Sequence, residues 1–83
     1  MTDWFVYILQ CSDNTYYTGI TTNTLRRLKE HNSGKGSKYT GPRQPSFYLG
    51  TKRVSNRSEA TKLELCVKKA KKKDKLIVLL KGV

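Results

Sequence analysis

Two tyrosines, Tyr7 and Tyr17, stand early in the sequence, in W-F-V-Y-I-L and Y-Y-T-G, with the polar stretch C-S-D-N-T between them. An arginine and the single histidine follow four residues apart, Arg27 and His31, and a carboxylate, Glu64, comes later in A-T-K-L-E-L-C-V. A guanidinium presents a planar fork of donors that suits phosphate oxygens, and an imidazole exchanges a proton near neutrality. A carboxylate holds a cation, and a phenol orients or deprotonates water. Together such groups answer the needs of phosphodiester hydrolysis: an activated water, stabilised charge on the phosphoryl oxygens, and help for the leaving alkoxide. Each also has a plainer use. Strand tyrosines commonly pack, Arg27 can pair with Glu30, His31 suits the negative end of a helix dipole, and Glu64 can pair with Lys68 at i+4.

The chemistry therefore depends on which elements carry these residues. Trp4 to Leu9 is an unbroken apolar and aromatic run, short and bounded by turn residues, which predicts a central strand buried on both faces. Ser12-Asp13-Asn14 suits a three-residue hairpin loop with Asn14 in the left-handed region. An odd loop centred on Asp13 sets Leu9 opposite Tyr17 and Tyr7 opposite Gly19, so both tyrosines leave one face as diagonal neighbours. Thr22 or Asn23 then caps a helix through L-R-R-L-K-E-H-N, ended by Ser33-Gly34, with Leu25 and Leu28 as its buried stripe and Arg27 and His31 on one flank. Ser33 to Pro45 reads as a surface loop rich in Gly and Pro, whose Lys35, Lys38 and Arg43 are candidate phosphate contacts. Its Gly34-Lys35-Gly36 follows a helix instead of opening one, so it is not a P-loop.

Ser46 to Val54 reads as a third strand. Asn56 with Glu59, or Ser58, opens a second helix whose buried face is Ala60, Leu63, Val67 and Ala70. Glu64 falls within that apolar arc. A carboxylate there is costly, by several kcal/mol roughly, unless a cation meets it. Leu76 to Leu80 reads as a short final helix, with Asp74 as its candidate cap, in preference to a strand. Lys62, Lys68, Lys69 and the Lys71-Lys72-Lys73 run are either a second nucleic-acid-facing surface, for which Lys68 is the principal candidate, or a solvated helix face.

Eighty-three residues are expected to make one domain, residues 1–83, with no room for a separate specificity domain. The net charge of +11, from seventeen Lys and Arg against six Asp and Glu, favours a polyanionic partner. Nucleic acid leads, and an acidic membrane surface is second. No apolar run approaches a membrane span and no signal-peptide pattern opens the chain, so a soluble, cytoplasmic protein is expected. Cys11 and Cys66 belong to no metal-ligating pattern and are expected to be reduced, largely buried thiols.

The ordered set of V-Y-I-L, hairpin, Y-T-G, R-L-K-E-H-N, a basic K-Y-T loop and A-T-K-L-E resembles the GIY-YIG nuclease domain. It is most similar to the small stand-alone, YhbQ-like members related to structure-specific nucleases that cut branched DNA. The resemblance covers essentially the whole chain. Its first signature triplet appears as Val6-Tyr7-Ile8, without the glycine, and its second as Tyr17-Thr18-Gly19, with Thr for Ile. It implies an α+β fold, a small three-stranded antiparallel sheet flanked by helices in the order β-β-α-β-α with a short C-terminal helix. It implies that Tyr7 and Tyr17 are paired site tyrosines, Arg27 the site arginine, His31 the histidine of the branch-cutting relatives, and Glu64 the single metal-binding carboxylate.

The positions of the acids point to the same carboxylate. Asp3, Asp13, Glu30, Glu59 and Asp74 all have terminal, turn, outer-face or helix-start positions, which leaves Glu64 with the inward one. One Mg2+ or Mn2+ on Glu64, completed by water and phosphate, is the expected cofactor. Arg27 would hold the phosphate, Tyr17 would act as general base with Tyr7 orienting it or in the exchanged role, and His31 would shuttle a proton or serve as a second base. Both tyrosines would have to share a face with Glu64. The expected partner is DNA, with RNA as an alternative, and the expected state is a monomer or weak dimer, open to a protein partner that supplies targeting. The competing readings are a non-cleaving nucleic-acid-binding module of the same fold and a basic RNA-associated structural protein.

Overall fold

The computed structural model of the chain describes residues 3–34 and 43–82. In chain order its elements are β1 (Trp4–Gln10), β2 (Tyr16–Thr21), α1 (Thr24–Asn32), β3 (Phe47–Val54), α2 (Arg57–Lys69), a 3-10 turn (Lys72–Asp74) and α3 (Lys75–Lys81). The strands form one antiparallel sheet in the order β2-β1-β3. This is the expected α+β architecture. β1 is the middle strand, which explains why its sequence is apolar on both faces: Val6, Tyr7, Ile8 and Leu9 are all buried.

The hairpin loop forms as its residues require. Cys11 N–H donates to the Thr15 carbonyl at 2.8 Å, Asn14 N–H donates to the Cys11 carbonyl at 2.9 Å, and Asn14 takes the left-handed region at φ 67°. The Asp13 carboxylate accepts from Thr15 N–H at 3.1 Å and from its hydroxyl at 2.6 Å. Leu9 faces Tyr17 and Tyr7 faces Gly19, the register that an odd loop imposes.

Strand alternation then divides the sheet into two unlike faces. Val6 and Ile8 point into an aliphatic core with Ala60, Leu63 and Val67 of α2 and Leu79 of α3. A fully buried aliphatic side chain contributes about 1.5–3 kcal/mol, so this face carries most of the stability. Tyr7 and Leu9 point the other way, towards α1. β3 adjusts to both: Ile8 pairs with Gly50 but Leu9 pairs with Tyr48, so Leu49 is an extra residue opposite β1. The irregularity turns Leu49 into the aliphatic core and Tyr48 onto the side of Tyr7. Gly50 lets α3 close on the sheet, since a Cβ there would lie 2.6 Å from Leu76 Cδ1.

Three local expectations are corrected. Leu25 is 65% exposed and Leu28 only half-buried, while His31 is the fully buried residue of α1. The helix lies over the polar face of the sheet, and its first turn is tied to Tyr48 through the Thr24 carbonyl, so its inward stripe runs through Arg27 and His31 instead of the leucines. Cys11 is buried and free, but Cys66 is free and exposed, on the side of α2 away from the core. Asp74 stands at the N-cap position of α3 without a side-chain capping bond, whereas Asn56 and Asn23 do cap α2 and α1, accepting from Glu59 N–H and Arg26 N–H at 2.9 Å each. Among the described residues no helix is long and apolar enough to cross a membrane.

The end of α1 is clamped to the start of β3 by one side chain. Asn32 Oδ1 accepts from Ser46 N–H at 2.7 Å and its Nδ2 donates to the Ser46 carbonyl at 3.0 Å, and Ser46 is fully buried. Asn32→Ala leaves both backbone groups unpaired and is expected to lower unfolding free energy by about 2 kcal/mol, measured by urea denaturation at pH 7.

Candidate functional site

The candidate site is built on the polar face of the sheet from β1, β2, α1 and β3. Tyr7 is its centre. Its ring packs on Gly19, directly across the hairpin, and a Cβ at that position would stand 2.7 Å from Tyr7 Cζ and 3.2 Å from Tyr17 Cε1. A glycine opposite Tyr7 is therefore a steric requirement. The Tyr7 and Tyr17 ring centroids are 6.3 Å apart on one face. His31 stands edge-on to both, 5.9 Å from Tyr7 and 5.1 Å from Tyr17.

The hydroxyl of Tyr7 joins the two candidate residues of α1. Arg27 Nε–H donates to Tyr7 Oη at 3.3 Å, and Tyr7 Oη lies 3.0 Å from His31 Nε2. An arginine N–H can only donate, so the oxygen accepts from Arg27, and the tautomer of His31 sets which partner donates in the second bond. Arg27 also donates through Nη1 to Glu30 Oε1 at 3.1 Å, so the plainer Arg27–Glu30 pairing exists alongside the tyrosine contact.

Burial sets the protonation states. It lowers the pKa of His31 from 6.5 to about 4, with the Arg27 charge adding to the effect and Glu30 opposing it, so the ring is neutral at pH 7. It also raises the Tyr7 phenol above its ordinary value, offset in part by the hydrogen bond and charge of Arg27. Burial opposes the Arg27 charge, but hydrogen bonds to Tyr7 and Glu30 more than compensate, and its pKa is raised. Tyr7 is thus held as a neutral phenol between a permanent cation and a neutral imidazole.

Access differs among the five candidates. Tyr7 and His31 are almost completely enclosed. Tyr17 is half-buried, and the side chains of Arg27 and Glu64 are 25% and 18% exposed. A ligand laid on this face meets Tyr17 and Arg27 first, with Tyr7 and His31 behind them.

Glu64 is placed differently from expectation. The stripe of α2 that packs on the sheet meets the Val6 and Ile8 face, opposite the tyrosines, so Glu64 does not share their face through its own helix. Its carboxylate is nevertheless close enough to Tyr7 to be among the charges that raise the phenol's pKa, though the weakest of the causes. It pairs with Lys68 Nζ at 3.5 Å, the i+4 contact that competes with a metal role and engages Lys68. Among the described residues no three His, Cys, Asp or Glu side chains converge to hold a metal. That donor set does not fit an all-protein cage. It does fit a hard cation that takes one carboxylate and completes its shell with water and phosphate.

Lys35 and Lys38 lie outside the described residues. Arg43 is described, and its Nε donates to Asp13 Oδ2 at 3.0 Å while its carbonyl accepts from Ser12 N–H and Oγ–H, so it fastens the loop after α1 to the hairpin tip. Sequence reasoning missed Tyr48. Its ring meets Tyr7 edge-on at 5.4 Å, its hydroxyl donates to the Thr24 carbonyl at 2.6 Å, and burial together with the Tyr7 charge pushes its pKa up to about 12. It braces Tyr7 from β3 and sets the distance between α1 and the sheet. F-Y-L marked a strand, but only the irregular pairing with β1 decides which of its residues faces Tyr7.

Comparison with known proteins agrees with the fold. The family profile described as the GIY-YIG catalytic domain matches residues 3–77. A UPF0213 protein of Desulfotalea psychrophila is 53% identical over 66 residues, covering 78% of this chain and 60% of that protein, so the chain matches under two thirds of that relative's length. A UPF0213 protein of Listeria monocytogenes is 49% identical over 71 residues, covering 86% of this chain and 79% of its own. The solution NMR structure of the E. faecalis protein EF2693 is similar with a TM-score of 0.67 and 42% identity, covering 98% of this chain and 86% of that one. That of a Bacillus halodurans UPF0213 protein has a TM-score of 0.57 and 43% identity, covering 96% and 86%.

The buried imidazole has a thermodynamic consequence. With a native pKa of about 4 and an unfolded value near 6.5, the unfolded chain binds a proton between these pH values that the native state does not. Stability from this group is complete above pH 6.5 and is lost as pH falls towards 4, by about 2 to 3 kcal/mol in all. Chemical denaturation at pH 7 and pH 4 should give a pH-dependent loss in wild type that is smaller by this amount in His31→Phe.

Proposed function

Because the chain belongs to the GIY-YIG family, a nuclease-domain family, we propose that it is an endonuclease that hydrolyses phosphodiesters in DNA with the aid of one divalent cation. The observation that carries the reading is the Tyr7 hydroxyl network, which draws the Arg27 guanidinium and two tyrosine rings together on one face of the sheet. We propose further that residues 1–83 work as a single domain, that the substrates are branched or single-stranded DNA, and that base sequence is read little. The support for weak sequence reading is chemical: a small chain of net charge +11 favours contacts to the nucleic-acid backbone, which position it without reading it.

In this proposal Arg27 receives the scissile phosphate. Held by Tyr7 and Glu30, it loses little freedom on binding and turns its charge towards oxygens that become more negative in the transition state. Tyr17 is the general base, because it is the accessible phenol, whereas Tyr7 is enclosed, hydrogen-bonded to Arg27 and His31, and has a raised pKa. Tyr7 and His31 act through Arg27 and Tyr17 as positioning residues. Glu64 would hold Mg2+ or Mn2+, which supplies Lewis-acid stabilisation of phosphoryl and leaving-group charge when bound. For that the Lys68 contact must yield, which the exposure of Lys68 permits.

Cleavage of labelled duplex, single-stranded and branched DNA in Mg2+ or Mn2+ tests the reading. Wild type should cut at least the branched substrate, Glu64→Ala and Tyr17→Phe should bind without cutting, and Arg27→Ala should cut about 10²- to 10³-fold more slowly. Binding by wild type and variants alike, with every substrate left intact, would replace the enzyme with a binding module of the same fold.

A further inference from the structure

The cations of this chain divide into those that hold the fold and those that do not. Five of the six carboxylates, Asp74 being the exception, have a cationic partner within 4.0 Å, and none of those partners lies between Lys69 and Lys73. In and beside that segment two lysines are structural. Lys72 donates to the Asn14 carbonyl and stands 4.7 Å over the Tyr16 ring, which pins the elbow between α2 and α3 to the hairpin tip. Lys75 donates to the Val67 and Lys68 carbonyls at 2.9 and 3.1 Å and satisfies the end of α2. The lysines in between, Lys69, Lys71 and Lys73, are exposed, and none has a carboxylate, carbonyl or ring partner among the described residues. The nearest carboxylate in sequence, Asp74, is half-buried at the start of α3.

We propose that Lys69, Lys71 and Lys73 form a second contact surface for the phosphate backbone of the nucleic acid bound at the tyrosine site. The inference rests on the nuclease reading of that site. A flexible lysine tail would meet a polyanion only by ordering itself, but this elbow is already fastened at Lys72 and Lys75. Its backbone is extended at Ala70 and Lys71, with φ/ψ of −71°/152° and −63°/152°. At about 3.1 Å per residue, Lys69 and Lys71, either side of the extended Ala70, are separated by about 6 Å, close to the span of two phosphates along one strand, about 7 Å, and Lys73 follows in the 3-10 turn. The anchor residue Asn14 is in the hairpin turn, three positions before Tyr17, and Lys72 stacks on Tyr16, which packs with the aliphatic core on the other face of the sheet. A strand leaving the site past Tyr17 would reach the elbow around the hairpin tip at the β2 edge. Charge complementarity identifies the occupant: three unneutralised cations on a chain of net charge +11.

The test is binding of fluorescein-labelled duplex and branched DNA in EDTA, over a series of NaCl concentrations, with the full chain. Removing one lysine–phosphate interaction should lower the slope of log K against log[NaCl] by about 0.9. The triple variant Lys69→Gln/Lys71→Gln/Lys73→Gln is therefore expected to reduce the slope by about 2.7 and to bind on the order of 10²-fold more weakly at 0.1 M salt. The charge-preserving triple Lys→Arg variant should bind as wild type, and Lys81→Gln, an exposed charge at the end of α3, should change the slope by no more than one such interaction. A triple Gln variant with wild-type slope and affinity overturns the surface while leaving the nuclease reading intact. A wild type that binds no DNA under any condition overturns both, and binding instead to phosphatidylserine vesicles would identify a lipid surface as the occupant.

Discussion

The structure of this site depends on one hydroxyl group. Tyr7 Oη accepts from Arg27 and is hydrogen-bonded to His31, and through those two bonds a residue of the central strand fixes both candidate side chains of α1. A neutral imidazole buried beside an arginine is tolerable only if its ring nitrogens are satisfied, and the phenol is the partner of Nε2. In turn a phenol buried between two rings is tolerable only if its oxygen is satisfied. The arrangement is closed, and no buried side-chain polar atom among the described residues lacks a hydrogen-bond partner.

The two faces of the sheet divide the work accordingly. Val6 and Ile8, with α2 and α3, supply aliphatic burial, while Tyr7 and its neighbours supply polar contacts that add less stability and more geometry. Loss of a methyl on the first face weakens the whole molecule, whereas loss of a hydroxyl on the second shifts a guanidinium. Gly19 belongs to this division, because only the absence of a side chain there lets the Tyr7 ring lie flat enough to reach α1. Tyr48 and the Asn32 clamp hold α1 against the polar face, and the Arg43–Asp13 pair ties the residues before β3 to the hairpin tip, all without an aliphatic seam. That is why α1 can leave Leu25 in solvent.

Several of the cations do structural work. Arg43 and Lys72 grip the hairpin tip from two sides, and Lys75 ends α2. A basic composition read as a single attractive field therefore overstates the charge available to a polyanion.

The sequence alone determined the features that arise from local chemistry. The odd loop at Ser12-Asp13-Asn14, with an asparagine able to take positive φ, sets the register of β1 and β2 and hence the shared face of Tyr7 and Tyr17. The i+4 spacing of Arg27 and His31 sets their common flank, and the apolar run of β1 announces a middle strand. These rules act over a few residues, so they can be read without the fold. Tertiary structure decided the rest. The depth of His31, the exposure of Leu25 and the position of Glu64 depend on which sheet face each helix covers, and a helical wheel does not contain that information. The placing of Tyr48 turns on one extra residue in the pairing of β3 with β1. A single inserted residue reverses the parity of a strand, and only the partner strand reveals where the insertion falls.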